Sequence, residues 1–227
     1  NYILYNLFNK SFKIFKCKNT IHNNTVLNFK KEGYAKSIII PGEEIDKINF
    51  LLTKCEENYE NNETIYKNNK ELKEKLKKLF IKNFKKQVES FEEYYSSRVI
   101  ISQIKVFKNH GFKKSYLSEK ETISENYHTD NYLFTYFKLF INLEEIDYSK
   151  GPLHFVTKKN IKKFIRKSNY KNRYFYNDQN TQDLIFKNVG NKGESIFVNT
   201  TECLHKAGVP DQDKTRTVLL FHLNVIP

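Results

Sequence analysis

Two histidines and one aspartate stand at spacings that suit a metal site. Among the six histidines, only His128 begins an H-x-D triplet, with Asp130 two positions on. Residues i and i+2 of an extended strand project from the same face, so both side chains can reach one metal ion. His205, from a distant strand, would complete one face of an octahedron and leave three positions open. This ligand set is typical of non-haem Fe(II) oxygenases and predicts an iron site.

An arginine follows His205 in the sequence. Arg216 lies eleven positions after His205 and begins a strongly apolar segment, where a guanidinium is costly without an anion. Oxygen activation of this type needs a reductant beside the metal. A 2-oxo acid can chelate two open positions, while its far carboxylate pairs with Arg216 in a bidentate contact. Lys138 and Gln103, on predicted strands, are further candidates for cosubstrate contacts, although a lysine stem is more often buried with its amine at the surface.

Four segments between residues 29 and 227 resemble the phytanoyl-CoA dioxygenase-like family, a branch of the 2-oxoglutarate oxygenases. Two of them carry the candidate site: Tyr127 to Asp130 matches the aromatic-H-x-D motif, and Leu204 to Gly208 with Arg216 matches the distal histidine and cosubstrate arginine. The other two are supportive. They are Phe29 to Tyr34 with the Glu43-Glu44-Ile45 segment, similar to the opening strand and first helix, and Leu143 to Leu153, which contains Gly151-Pro152. Val156-Thr157-Lys158-Lys159 departs from the Pro-Gly-Ser-His stretch of many members.

The resemblance implies an enzyme with a double-stranded β-helix core. It implies Fe(II) held by His128, Asp130 and His205, with O2 and 2-oxoglutarate as cosubstrates and Arg216 on the far carboxylate. The reaction would oxidise a small-molecule or acyl-type substrate and release succinate and CO2. Halogenating relatives have a small residue in place of the carboxylate ligand, so Asp130 favours hydroxylation. Apart from the basic surface, which favours an anionic substrate, no feature of the chain selects among the family's substrates.

Two other functions are compatible with a barrel that carries histidines. The first is a cupin-like metal-dependent isomerase or epimerase without oxygen chemistry; such sites usually take their ligands from an H-x-H cluster, which the chain lacks. The second is a non-catalytic jelly-roll binding module with a vestigial site. Arg216 and the intact set of three ligands count against both.

Helical patterns precede strand patterns along the chain. A helix is predicted from Pro41 through Cys55, a loop from Asn58 to Asn69, and a second helix from Lys70 to Tyr95 on a stripe of Leu and Phe. Short β-branched and aromatic runs then predict strands. These runs are 98–107, 135–143, 153–157, 194–199 and 216–226, with a short surface helix at 158–167.

This order predicts a mainly β fold with N-terminal helices, a double-stranded β-helix of the jelly-roll, cupin-like type. Residues 1–28 are interpreted as an N-terminal extension of unknown role. Residues 29–227 are interpreted as a single oxygenase domain, with helical support over about 41–96 and the β-helix core over about 98–227.

The remaining histidines and the cysteines have simpler interpretations. We expect His110, His154 and His222 to be structural and His22 to lie at the surface. Cys17, Cys55 and Cys203 form no CxxC pair, so a reducing cytoplasm is the expected compartment. Cys203 is interpreted as a small packed residue.

The strong positive charge has a compositional explanation. The net charge is +13, but only four of the 39 basic residues are Arg. Recognition of phosphates favours the guanidinium fork, so we do not expect a nucleic-acid partner. The basic surface instead favours an anionic small-molecule substrate. No apolar run reaches the roughly 18–20 residues of a membrane span.

Overall fold

The computed structural model describes residues 24–60, 62–67, 69–111, 126–130 and 135–226. The interpretations of Cys17 and His22 therefore lie outside the described residues. The helices are α1 (Asn24–Glu32), α2 (Gly42–Leu52), α3 (Lys70–Tyr95) and α4 (Ile161–Ser168), with short 3-10 turns at Tyr148–Lys150, Lys158–Asn160 and Gln179–Leu184. No helix within these ranges is long and apolar enough to cross a membrane.

Two antiparallel sheets form the β core. The strands are β1 (Tyr34–Ile39), β2 (Glu57–Glu60), β3 (Glu63–Tyr66), β4 (Arg98–His110), β5 (Tyr136–Asn142), β6 (Leu153–Val156), β7 (Ile185–Asn188), β8 (Glu194–Val198), β9 (His205–Lys206) and β10 (Thr215–Ile226). The larger sheet has the order β1-β8-β5-β10-β4-β3-β2, and the smaller one has the order β7-β6-β9. The predicted fold class, a jelly roll preceded by helices, is confirmed.

One face of the larger sheet packs on the helices. Alternate side chains of β5 and β10, including Phe137, Leu139 and Phe221, are fully buried in a cluster with α1, α2 and α3. The other face carries a second cluster with residues of the smaller sheet, including Phe140, Val218 and Phe155. Because neighbouring strand residues point to opposite faces, β10 is apolar throughout most of its length. The space between the sheets is where the candidate site residues meet.

Helix α3 follows its predicted bounds. The Asn69 side chain accepts a hydrogen bond from the backbone N–H of Leu72 at 2.8 Å and caps the helix. The chain leaves the helix at Ser96 in the left-handed conformation. The buried residues of α3 recur at helical spacing and match the predicted stripe: Leu72, Leu76, Leu79, Phe80, Phe84 and Phe91.

Two local predictions were wrong. The segment predicted as a loop forms the hairpin β2–β3, which pairs with the edge strand β4. Every residue of β2 is exposed, so it has no hydrophobic alternation to recognise. The segment Phe29 to Tyr34 was expected to open with a strand, but its first four residues end helix α1 and the strand begins at Tyr34. Only Val26 and Phe29 of α1 are buried, too few to give a helical period.

The other elements follow the predictions more closely. The five predicted strands are all present with slightly different ends, and the basic segment 158–167 forms a 3-10 turn followed by α4, with Phe164 buried beneath it. The division of the chain at residue 29 stays a prediction. Helix α1 crosses that division, with Val26 buried in the same cluster as Phe29.

Candidate metal centre

His128 and His205 are opposite each other in an antiparallel bridge. The N–H of His128 donates to the carbonyl of His205 at 3.0 Å, and the N–H of His205 donates back at 2.8 Å. Residues that exchange both backbone hydrogen bonds have their side chains on the same face. The two imidazole centroids are consequently 4.4 Å apart.

Backbone carbonyls orient both imidazole rings. Nδ1 of His128 is 2.7 Å from the carbonyl oxygen of Asn126, and Nδ1 of His205 is 3.1 Å from that of Cys203. When Nδ1–H donates to a carbonyl, the Nε2 lone pair is free for a metal, as is usual for metal-binding histidines. Burial lowers the pKa of both rings, that of His205 to about 3, so both are neutral.

Asp130 completes the set. Its backbone N–H donates to the carbonyl of Thr200 at 2.9 Å, which fixes the chain two residues beyond His128. Its Oδ1 lies 3.9 Å from Nε2 of His128 and 3.8 Å from Nε2 of His205. One ligand atom from each of the three residues lies within 4.8 Å of the others. Ligands bound at about 2 Å can be at most about 4 Å apart, so small side-chain rotations bring these atoms into range of one ion.

The two oxygens of the Asp130 carboxylate face different groups. While Oδ1 faces the imidazoles, Oδ2 lies 2.7 Å from the ammonium of Lys138 on β5. Burial raises the pKa of Asp130, but the ammonium of Lys138 outweighs that effect and holds the pKa below its ordinary value. The residue therefore carries a negative charge, with Oδ1 directed at the two imidazoles.

Arg216 lies in the same cavity as the two histidines and is 3% exposed. Its guanidinium donates to the carbonyl of Gly151 and, at 2.6 Å, to the side-chain oxygen of Asn109. Its Nε has no hydrogen-bond partner among the described residues. Burial lowers the pKa of Arg216 to about 10, against the opposing effect of Glu63 and Glu144, and leaves it charged. A buried cation with a free N–H suits the carboxylate of a ligand.

Close backbone packing brings Arg216 near the chain that follows His205. A Cβ on Gly208 would collide with the carbonyl oxygen of Pro152, and one on Gly151 would collide with the backbone of Val209. Gly151 also has a φ of +60°, which a side chain would disfavour. The absence of a side chain at Gly208 and Gly151 thus allows these two backbone segments to approach closely.

The cavity between the sheets has a volume of about 200 Å³. Its lining combines polar and apolar side chains: Glu63, Lys105, Phe107, His128, Lys138, Phe140, Asn142, Ile146, Leu153, Asn188, His205, Ala207, Arg216, Val218, Leu220 and His222. The structure brings Lys138 to it but not Gln103, which is exposed on β4.

Several lining residues were not identified from the sequence. Glu63 was missed because the hairpin that carries it was taken for a loop. His222 was interpreted as structural; its Nδ1 does hydrogen-bond to the hydroxyl of Tyr136, but the ring also lines the cavity. Its position six residues after Arg216, on the same face of a strand, could have indicated this. Lys105 follows the same alternation on β4.

Solved structures share this architecture. HygX from Streptomyces hygroscopicus, with nickel and 2-oxoglutarate bound, is 11% identical and matches with a TM-score of 0.63 over 90% of this chain and 87% of that chain. The non-heme alpha ketoglutarate dependent epimerase SnoN from nogalamycin biosynthesis is 12% identical, with a TM-score of 0.61 over 88% and 81%. The carbocyclase SnoK from the same biosynthesis is 12% identical, with a TM-score of 0.60 over 92% and 85%.

No protein-family model and no curated protein matches the chain. At 11–12% identity the likeness to solved structures concerns the fold. The chain shares its jelly-roll fold with these structures, two of which are alpha ketoglutarate dependent enzymes and one of which has 2-oxoglutarate bound.

Proposed function

We propose that this protein is a non-haem Fe(II) and 2-oxoglutarate-dependent oxygenase that hydroxylates a small-molecule substrate. The observation that carries the proposal is the convergence of His128, Asp130 and His205, with their Nε2 and Oδ1 atoms turned toward one another. Two nitrogens and one carboxylate oxygen match the ligand set of Fe(II) oxygenases. The fold shared with enzymes of this class supports the same assignment.

Each residue has a separate task in this proposal. His128, Asp130 and His205 would hold the iron, and Arg216 would bind the far carboxylate of 2-oxoglutarate through its unpartnered N–H. Lys138 would hold Asp130 in place, which replaces the direct cosubstrate contact suggested by the sequence. The bound iron would supply oxidation of the substrate by O2, coupled to conversion of 2-oxoglutarate to succinate and CO2.

Hydroxylation is the outcome that we favour within this class. Asp130 is retained as a carboxylate ligand, whereas halogenating relatives lack one. The neighbours include an epimerase and a carbocyclase, so a shared fold does not by itself select the outcome. The subfamily, phytanoyl-CoA dioxygenase-like, rests on the four sequence segments. The contact of Arg216 with Gly151 joins two of these segments.

The alternatives account less well for the cavity. A cupin-like isomerase without oxygen chemistry has no use for a buried arginine with a free N–H beside the ligands. A binding module has no reason to keep three ligand atoms within 4.8 Å. The expected cytoplasmic location stays a prediction.

The experiment is an anaerobic titration of the protein with Fe(II) and then with 2-oxoglutarate. The signal recorded is the visible metal-to-ligand charge-transfer band. Asp130→Ala should abolish the band, and Asp183→Ala, which removes an exposed carboxylate, should not. Arg216→Ala should weaken 2-oxoglutarate binding with iron uptake intact, and the exposed Arg166→Ala should behave as wild type. Persistence of the band in Asp130→Ala would refute the ligand assignment. Succinate release with candidate substrates then tests the reaction.

A further inference from the structure

The cavity has two ends that are far apart along strand β10. Arg216, Val218, Leu220 and His222 alternate along the strand and all line the cavity. At about 3.4 Å per residue, the Cα atoms of Arg216 and His222 are about 20 Å apart. A cosubstrate carboxylate held by Arg216 therefore leaves the His222 end free for another group.

In the part of the chain that the structure describes, three cationic side chains line the cavity, and two of them already have a hydrogen-bond or ion-pair partner. Arg216 is bound to Gly151 and Asn109, and Lys138 forms its ion pair with Asp130. Lys105 on β4 differs, because within the described ranges its ammonium has no ion pair and no hydrogen bond. The lining carboxylate of Glu63 interacts with Lys105 only at longer range and accepts a hydrogen bond from Asn109.

His222 supplies a second polar group at this end. It is 6% exposed, and its Nδ1 is hydrogen-bonded to the hydroxyl of Tyr136. Its Nε2 is buried with no partner among the described residues. When the Tyr136 hydroxyl donates to Nδ1, Nε2 carries the ring hydrogen and is a donor. Burial and the nearby charges of Lys138 and Lys105 lower the pKa of His222 to about 3, so the ring is neutral and, in this tautomer, can donate a hydrogen bond through Nε2.

Apolar side chains lie next to these donors. Lys105 is opposite Leu220, which is opposite Phe140 on the next strand. The cavity enclosed by the described residues, about 200 Å³, is smaller than the roughly 300–1,000 Å³ of pockets for drug-sized ligands. A short apolar chain that ends in an anion fits this lining.

We propose that Lys105 and His222 form a subsite that binds a carboxylate of the organic substrate, with the apolar part of that substrate against Leu220 and Phe140. The role of this subsite in substrate oxidation rests on the proposed function, whereas the binding of a carboxylate at Lys105 does not. A charge-assisted hydrogen bond from Lys105 and a neutral one from His222 would hold the two carboxylate oxygens.

Calorimetry of the anaerobic protein loaded with Fe(II) and 2-oxoglutarate tests the subsite. The probes are straight-chain monocarboxylates, their primary amides of equal length, and inorganic phosphate. We expect the wild type to bind at least one carboxylate about tenfold or more tightly than its amide, since one charged hydrogen bond accounts for that ratio. Lys105→Gln should lose the preference, and Lys105→Arg should keep most of it. Lys108→Gln, on the same strand but outside the cavity lining, should bind as wild type.

Three results would overturn the subsite. They are the absence of saturable carboxylate binding by the wild type, a carboxylate preference that survives in Lys105→Gln, and tighter binding of phosphate than of every carboxylate. His222→Asn gives a second readout and should weaken carboxylate binding without abolishing the preference over the amide.

The binding of 2-oxoglutarate separates this proposal from the proposed function. Lys105→Gln should leave the dissociation constant of 2-oxoglutarate within about twofold of wild type, whereas Arg216→Gln should raise it about tenfold or more. An equal loss in both variants would assign Lys105 to the cosubstrate and overturn the subsite. Absence of the charge-transfer band in the wild type would instead refute the oxygenase proposal, while the same calorimetry without Fe(II) and 2-oxoglutarate would still report carboxylate binding and its dependence on Lys105.

Discussion

The ammonium of Lys138 lies 2.7 Å from Oδ2 of Asp130, on the side of the carboxylate that faces away from the two imidazoles. Both side chains are 13% exposed, so the pair is shielded from water. Because Lys138 engages one oxygen, the other is left directed at the histidines. The lysine thus orients the carboxylate that we propose as an iron ligand.

Removal of this lysine should weaken metal binding. Lys138→Met keeps the length of the side chain but leaves the Asp130 carboxylate without its partner. Loss of a residue that orients a ligand typically costs about 10–100-fold in metal affinity, and we expect a change of that size. Competition with a fluorescent chelator measures the affinity for Fe(II) or Zn(II). Lys138→Arg, which retains a cation, should recover most of it, and wild-type affinity in Lys138→Met would contradict the orienting role.

Asn109 should control the orientation of Arg216. Its Oδ1 accepts from Arg216 at 2.6 Å, and its Nδ2 donates to Glu63 at 3.1 Å, which fixes the direction of the amide. Asn109→Ala removes a hydrogen bond to a charged group, worth about 1.5–3 kcal/mol. We expect the dissociation constant of 2-oxoglutarate to rise about tenfold or more, with the iron affinity unchanged. Asn58→Ala, on the exposed strand β2, is the control; equal effects in the two variants would refute the contact.

The packing of α3 on the larger sheet should dominate the stability of the fold. Phe84 is fully buried, and its ring contacts those of Phe80 and Phe197. Phe84→Ala should lower the free energy of unfolding by about 3–5 kcal/mol, since the cavity left behind adds to the lost burial. Ile81, on the same helix, is 62% exposed, and Ile81→Ala should change stability by less than about 0.5 kcal/mol. Urea denaturation compares the two, and a small effect at Phe84 would contradict the core assignment.

Acidification should destabilise the protein partly through His154. Burial, aided by Lys206 and Lys187, lowers the pKa of this histidine to about 4 from an ordinary value near 6.5. Below pH 6.5 the unfolded chain binds a proton that the folded chain does not, so stability falls as the pH drops toward 4. In His154→Gln the decline between pH 6.5 and 4.5 should be shallower by up to about 1 kcal/mol per pH unit. Urea unfolding at several pH values measures the slopes, and parallel slopes would show that His154 is not the cause.

The sequence by itself determined the local features. The helical period fixed α3 from Lys70 to Tyr95, and the apolar and β-branched runs fixed the larger strands. The H-x-D triplet and the spacing of His205 to Arg216 identified the residue types of the candidate site. Each of these features involves residues that are close together in the sequence, so it can be recognised without knowledge of distant contacts.

Only the tertiary structure decided which distant residues meet. The bridge between His128 and His205 joins residues 77 positions apart, and its register turns both rings toward Asp130. The pairing of the hairpin β2–β3 with β4 brings Glu63 to Asn109 and hence to Arg216. Lys138 and Gln103 were equal candidates in the sequence, yet the former contacts Asp130 and the latter is exposed. Strand register depends on pairing between segments far apart in the chain, and a shift of one residue would turn each of these side chains to the other face.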